Sequence, residues 1–258
     1  MGVGSFSDGG PHQPSAVRMK PRVLVAIGTV IKTLLLFSDE MTEDIILQPE
    51  RAEVSQQGRA LVEQGLTKGV GGNLSRRGGD GSVAISPSGI PYDRITPEMV
   101  PVIDLDGEIL DGDLEPSTEA PMHTRIYRKR SDVGAIVHSH SPYATTFASL
   151  GQSIPPSHYL VSFIGDEIPL AGYATPGSEE LGQHAADALA DSYNACLLKN
   201  HGVIATGNDV ENALETALMV EFCARIHYQA VSIGEPVVVP DESIEDLRSG
   251  LDEYRDIK

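Results

Sequence analysis

The sequence predicts one α/β domain built on a mixed sheet covered by helices. Three observations carry that expectation. Strand-like and helix-like segments are interspersed without the regular strand–helix alternation of a Rossmann or barrel order. No segment repeats, and no linker-like stretch divides the middle of the chain. At 258 residues the chain can also bury a full core.

The elements follow in order. Residues 1–20 are rich in Gly, Ser and Pro and read as disordered. Val23 to Phe37 is apolar but holds Lys32 and spans only 15 residues, too short and too polar to cross a bilayer. Basic residues precede it, yet no small-residue cleavage site follows. It reads either as a helix on the body of the protein or as lying upstream of a native start at Met41, and the second reading is preferred. Residues 1–40 are therefore expected to be a disordered or non-native extension, with the functional domain over residues 41–240.

Folded sequence is expected from about Ile45. Val54, Ala60, Leu61 and Leu66 mark an amphipathic helix from Pro49 to Gly65, stopped by KGVGGN. Strands are expected at Asn73–Arg77 and Val83–Ser86, and a hairpin in VIDLDGEIL turning at Asp106-Gly107. A helix should cover Ala120 to Lys129. VGAIVHSHS then reads as a core strand ending in small polar residues. Short helices are expected at 142–150 and 177–189, and one strand over Ala195 to Ile204. The last long helix should run from Asp209 to about Ala230, capped by Asn208 and Glu211 and burying Leu214, Leu218, Phe222, Cys223 and Ile226. Residues 241–258 read as an acidic, irregular tail.

Composition narrows the function. The formal net charge of −18, from 37 acidic and 19 basic residues, cannot neutralise a run of phosphates and is repelled by an anionic lipid surface. Nucleic acid and membrane are thus excluded as partners. Only six lysines stand against thirteen arginines, and such a surface suits molar salt, where screening removes self-repulsion. A halophilic source is therefore expected. Cys196 and Cys223 lie in apolar surroundings and read as buried free thiols.

The chemistry-bearing residues lie between Asn73 and His201. His138 and His140 are two apart, which on a strand puts both imidazoles on one face. His201 lies in another β-rich segment. Three imidazoles suit zinc with a fourth position open to substrate, although His201 could equally be a hydrogen-bonded turn residue. Three small-residue turns, at 71–75, 86–89 and 116–118, can cradle a phosphate with backbone amides and hydroxyls, and Ser117-Thr118 starts a helix. Each alone is an ordinary loop. Glu119 follows the third turn, where a carboxylate can act as a general base.

Taken in order, GGNLSRR, SPSG, STEAPMH, HSHSPYAT and NHG resemble the zinc-dependent class II aldolase/adducin family, over about residues 45 to 235. The resemblance implies a mainly antiparallel sheet with helices on both sides. It implies one Zn2+ per subunit on His138, His140 and His201. Glu119 would be the catalytic acid/base, able to touch the metal before substrate enters. Asn73, Ser88, Gly89, Ser117 and Thr118 would hold the phosphate. Tyr159 would act in the neighbouring subunit's site of a homotetramer, and Tyr254 is loosely matched to a second, C-terminal tyrosine there.

The reaction so implied is reversible cleavage of an L-fuculose 1-phosphate-like ketose 1-phosphate to dihydroxyacetone phosphate and an aldehyde such as L-lactaldehyde, in the cytoplasm. The family also contains pentulose-phosphate 4-epimerases, a methylthioribulose-1-phosphate dehydratase and non-catalytic adducin-like interaction modules. The epimerases carry Asp where Glu119 stands and a further Asp near Tyr159, whereas HYLVS here has no acid. The complete histidine set argues against a metal-free module, and the dehydratase stays open because it too uses zinc and a glutamate.

Overall fold

Eight short strands make one sheet, in the order β4-β3-β2-β1-β5-β8-β7-β6. The computed structural model describes residues 1–2 and 46–255, the last five without their side chains. The expectations for residues 1–40, including the Val23–Phe37 run, lie outside the described residues, as does the side chain of Tyr254.

The strands are β1 Asn73–Arg77, β2 Val83–Ile85, β3 Val102–Ile103, β4 Ile109–Asp111, β5 Ala135–Ser139, β6 Leu170–Ala171, β7 Ala195–Leu198 and β8 Gly202–Gly207. All neighbours pair antiparallel except β6 and β7. The helices are α1 Gln48–Glu63, α2 Ala120–Lys129, α3 Pro142–Leu150, α4 Glu179–Leu189, α5 Val210–Ile233 and α6 Asp241–Arg255. The fold is thus a single α/β domain with a largely antiparallel sheet between helices, as expected.

Alternation along the central strands divides the core in two. Ala135 and Val137 of β5 join the cluster formed with α1, α3 and α5, whereas Ile136 joins the cluster formed with α2 and α4. The side-chain period of two therefore sends His138 to the α2 face, beside Asn73, its register partner on β1.

Four expectations are corrected. The segment 195–204 is not one strand but the hairpin β7–β8, in which Leu198 pairs with Gly202 across Lys199, Asn200 and His201. Asn200 takes φ 56°, a left-handed conformation that asparagine tolerates and a three-residue hairpin requires. The α5 cap is Asp209, whose carboxylate accepts from Asn212 N, not Asn208 with Glu211. Phe222 is exposed, and Ala213, Ala217, Val220 and Ala224 fill the buried side of α5, because this helix packs closely on β8 and small residues fit there. The acidic tail is not irregular. Residues 241–255 form α6, which buries Ile244, packs on the 3-10 helix Tyr159–Phe163 and pairs Arg248 with Asp166 at 2.9 Å. Strand β6, with two residues, had no readable period.

Candidate metal centre and active site

Three imidazoles meet at one end of the central strands. His138 is fully buried on β5, His140 stands one residue beyond its end and is exposed, and His201 is in the β7–β8 turn. Their ligand atoms lie within 4.8 Å of one another. The His138 and His140 Nε2 atoms are 3.0 Å apart. His138 Nδ1 lies 2.9 Å from Val203 O and donates to it, so Nε2 carries the lone pair that faces the cluster. Burial first, then His201 and His140, pushes the His138 pKa well below its ordinary value. Partial desolvation of its ring, and then His201, lower that of His140 as well. Neutral rings with convergent lone pairs are what a divalent ion needs.

Two glycines allow the approach. A Cβ on Gly202 would lie 2.3 Å from Ser139 O and 2.9 Å from the His140 ring, and one on Gly72 2.6 Å from His138 O. Only glycine fits at these two positions.

Glu119 completes the cluster. Its Oε2 is 3.2 Å from His138 Nε2 and its Oε1 is 3.3 Å from His201 Nε2. Asn73 Nδ2 donates to Oε2 at 2.8 Å, whereas the buried Oε1 has no hydrogen-bond partner among the described residues. The fit to a metal can be judged from these distances. Nitrogens ~2.0–2.1 Å from a tetrahedral zinc lie about 3.3–3.4 Å apart. The imidazole pair and both carboxylate contacts fall close to that edge length, so the donor set and spacing fit a divalent ion.

The two remaining turns are tied together. Pro87 and Pro116 form a backbone bridge, Ser88 N donates to Glu115 O at 2.9 Å, and Ser117 N donates to Ser86 O at 3.0 Å. Ser88, Gly89 and Thr118 are exposed, while Ser117 is buried, its hydroxyl accepting from Glu119 N. Gly89 has φ 70°, which glycine adopts freely. A cleft of about 580 Å³ opens beside His140, lined by Thr67, Lys68 and Thr145 among others. The Thr67 and Thr145 hydroxyls have no partner among the described residues.

Tyr159 begins its 3-10 helix, is 52% exposed and stacks on His158. Among the described residues no hydrogen bond joins it to Glu119 or the histidines. Sequence reasoning passed over His123, the last residue of STEAPMH, which is buried against Asn73. Its position one helical turn after Glu119 was the available signal.

The family model described as Class II Aldolase and Adducin N-terminal domain matches residues 52–228. The chain belongs to the class II aldolase/adducin family. Within this family it is 44% identical over 211 residues to the 5-deoxy-D-ribulose 1-phosphate aldolase of Bacillus thuringiensis serovar kurstaki, covering 81% of this chain and 99% of that one. It is 41% identical over 186 residues to the L-fuculose phosphate aldolase of Escherichia coli K12, covering 71% and 85%. A solved L-fuculose 1-phosphate aldolase superposes with a TM-score of 0.79 at 38% identity, covering 82% of this chain and all of that one. No described helix is long and apolar enough to cross a membrane.

Proposed function

We propose that this class II aldolase family member catalyses the reversible, metal-dependent aldol cleavage of a ketose 1-phosphate to dihydroxyacetone phosphate and a short aldehyde. The observation that carries the reading is Glu119, held between His138 and His201 with one carboxylate oxygen unpartnered. A buried carboxylate beside three imidazoles can move a proton at a substrate carbon bound next to it. Zinc, one per subunit, is the ion best suited to three imidazoles, and it would supply Lewis-acid polarisation of the substrate's C2 carbonyl and C3 hydroxyl.

The protein's own groups do the rest. The tied turns offer Ser88, Gly89, Ser117 and Thr118, with the second amide hydrogen of Asn73, to the phosphate. Binding there fixes C1 and sets C3 near Glu119. On cleavage the C3–C4 bond breaks with its electron pair left on C3, the C4 hydroxyl gives up its proton as the aldehyde forms, and Glu119 passes one proton to C3, so that the net transfer is of one proton from the C4 hydroxyl to C3. Tyr159, exposed on its own protomer, would serve the aldehyde oxygen in a neighbouring subunit of a homotetramer.

Two substrates are compatible with this chemistry. L-Fuculose 1-phosphate would release L-lactaldehyde. The 44% identity to a 5-deoxy-D-ribulose 1-phosphate aldolase favours as second reading a 5-deoxypentulose 1-phosphate, which would release acetaldehyde. The test is a panel of ketose 1-phosphates assayed for dihydroxyacetone phosphate with identification of the second product. Purified protein should carry one divalent ion per subunit, and His140→Ala should lose ion and turnover together. A C4-epimerised or dehydrated product with no dihydroxyacetone phosphate would reject the aldolase reading, and full metal occupancy after replacing all three histidines would reject the metal centre.

A further inference from the structure

We propose that His123 is a positioning residue that sets the direction of a buried hydrogen-bond chain ending on the Glu119 carboxylate. The proposal rests on the aldolase reading above, and deepens it at the same site.

The chain arises from a match between a helix and a strand. Along α2, four residues advance about 6 Å, and along β1 two residues advance about 6.6–6.8 Å. Glu119, His123 and Tyr127 therefore step in register with Asn73, Ser75 and Arg77. The contacts follow that register. Asn73 Nδ2 donates to Glu119 Oε2 at 2.8 Å. Asn73 Oδ1 meets His123 Nε2. His123 Nδ1 lies 2.7 Å from Ser75 Oγ, which lies 2.8 Å from the Tyr127 hydroxyl. The Arg77 guanidinium sits over the Tyr127 ring at 4.4 Å and closes the far end. His123, Ser75 and Tyr127 are all buried.

Each step dictates the next. Asn73 Nδ2 donates to Glu119 Oε2, so the amide turns its NH2 toward Glu119 and its carbonyl toward His123. His123 must then carry its proton on Nε2. Burial first, then the neighbouring His138, outweigh the opposite pull of Glu119 and push the His123 pKa to about 3, so the ring is neutral and its Nδ1 accepts. The Ser75 hydroxyl donates to it, and the Tyr127 hydroxyl donates to Ser75. All the donors thus point toward Glu119. The chain holds Oε2 and leaves Oε1, which has no partner, facing His201 and the metal site. Without the His123 donor, the Asn73 carbonyl loses its partner, and the amide that holds Oε2 is fixed by its contact with Glu119 alone.

His123 lies outside the metal set, so its replacement separates positioning from metal binding. The experiment compares wild type, His123→Leu and His123→Gln as metal-loaded enzyme, and records the imidazole nitrogen spectrum of the wild type. Loss of a group that orients an active-site ligand typically costs about 10- to 100-fold in activity. His123→Leu should keep one ion per subunit and lose kcat on that scale, with the KM for the aldehyde unchanged. His123→Gln can still donate to Asn73 Oδ1 and should recover most of the loss. The wild-type ring should be the neutral Nε2–H form.

Equal kcat for the Leu and Gln variants, or an Nδ1–H ring in the wild type, would overturn the proposal. A wild type that turns over no ketose 1-phosphate would overturn the aldolase reading instead, and the ring spectrum would still decide the direction of the chain.

Discussion

Burial sets the charge of the site histidines. His123 and His138 are both fully buried, and burial is the first cause of the low pKa of each. A histidine whose folded pKa lies below its unfolded value of about 6.5 stabilises the protein fully above that value. The contribution fades as pH falls, because the unfolded chain binds a proton that the folded one refuses. For His123 the window runs from 6.5 down to about 3. In it, stability should fall by about 1.4 kcal/mol per pH unit from this residue alone. Urea unfolding at a series of pH values should therefore give a shallower dependence for His123→Gln than for wild type, and parallel curves would show that the ring is not held neutral. At this scale the sequence was informative where a residue belongs to a motif with ligand chemistry, as with His138, His140, His201 and Glu119. For His123 it offered only the spacing of one helical turn from Glu119, which does not show what a buried histidine touches. The strand and helix must be docked before Asn73 and His123 are neighbours.

Close approach decides the elements. The β7–β8 hairpin brings His201 to the metal site only because Asn200 turns left-handed and Gly202 lies against the β5 backbone. In Gly202→Ala the new Cβ would have to displace Ser139 O, a backbone group of the sheet, and the His140 ring. Overpacking of this kind costs roughly 1–3 kcal/mol. The variant should melt at lower temperature and bind metal more weakly, and unchanged metal affinity would show that the hairpin can shift without moving its histidine. A second device holds the other side. The Glu221 carboxylate of α5 accepts from Tyr143 N and Ala144 N at 3.0 Å, tying the start of α3, just after His140, to the longest helix. The helices with apolar periods were legible in the sequence, as were β1, β2 and β5, short segments bounded by glycine and polar turns and buried on both faces. The turn inside 195–204 was not, since β-branched and apolar residues run on both sides of it. Nor was α6 read as a helix, although Ile244, Leu247 and Leu251 recur at spacings of three and four, because the acidic residues between them read as a solvated tail.

The whole molecule raises two questions of assembly. With a net charge of −18, self-repulsion acts over about 10 Å at 0.1 M salt and about 3 Å at 1 M. A multi-subunit assembly should accordingly weaken at low ionic strength, and sedimentation in about 0.1 M and about 2 M KCl tests this. An unchanged, active oligomer at the lower salt would remove the expectation of a halophilic protein. The second question is where Tyr159 acts. It is half exposed and unconnected to Glu119 by any hydrogen bond among the described residues, although α6 packs on its helix. A tyrosine that serves a neighbouring subunit has this placement. Glu119→Gln keeps the shape of the side chain and removes the base, a change that typically costs ~10²–10⁴-fold in rate. It should abolish both cleavage and hydrogen exchange at C3 of dihydroxyacetone phosphate while leaving the oligomer intact. Tyr159→Phe should keep that exchange and slow only the full aldol reaction. If the two residues meet across an interface, mixed oligomers of the two variants contain some sites with neither lesion, so mixing under conditions that exchange subunits should restore activity above the sum of the parts. Wild-type cleavage by Glu119→Gln would defeat the mechanism. Failure of the mixture to recover, with subunit exchange verified by mass, would return Tyr159 to its own protomer.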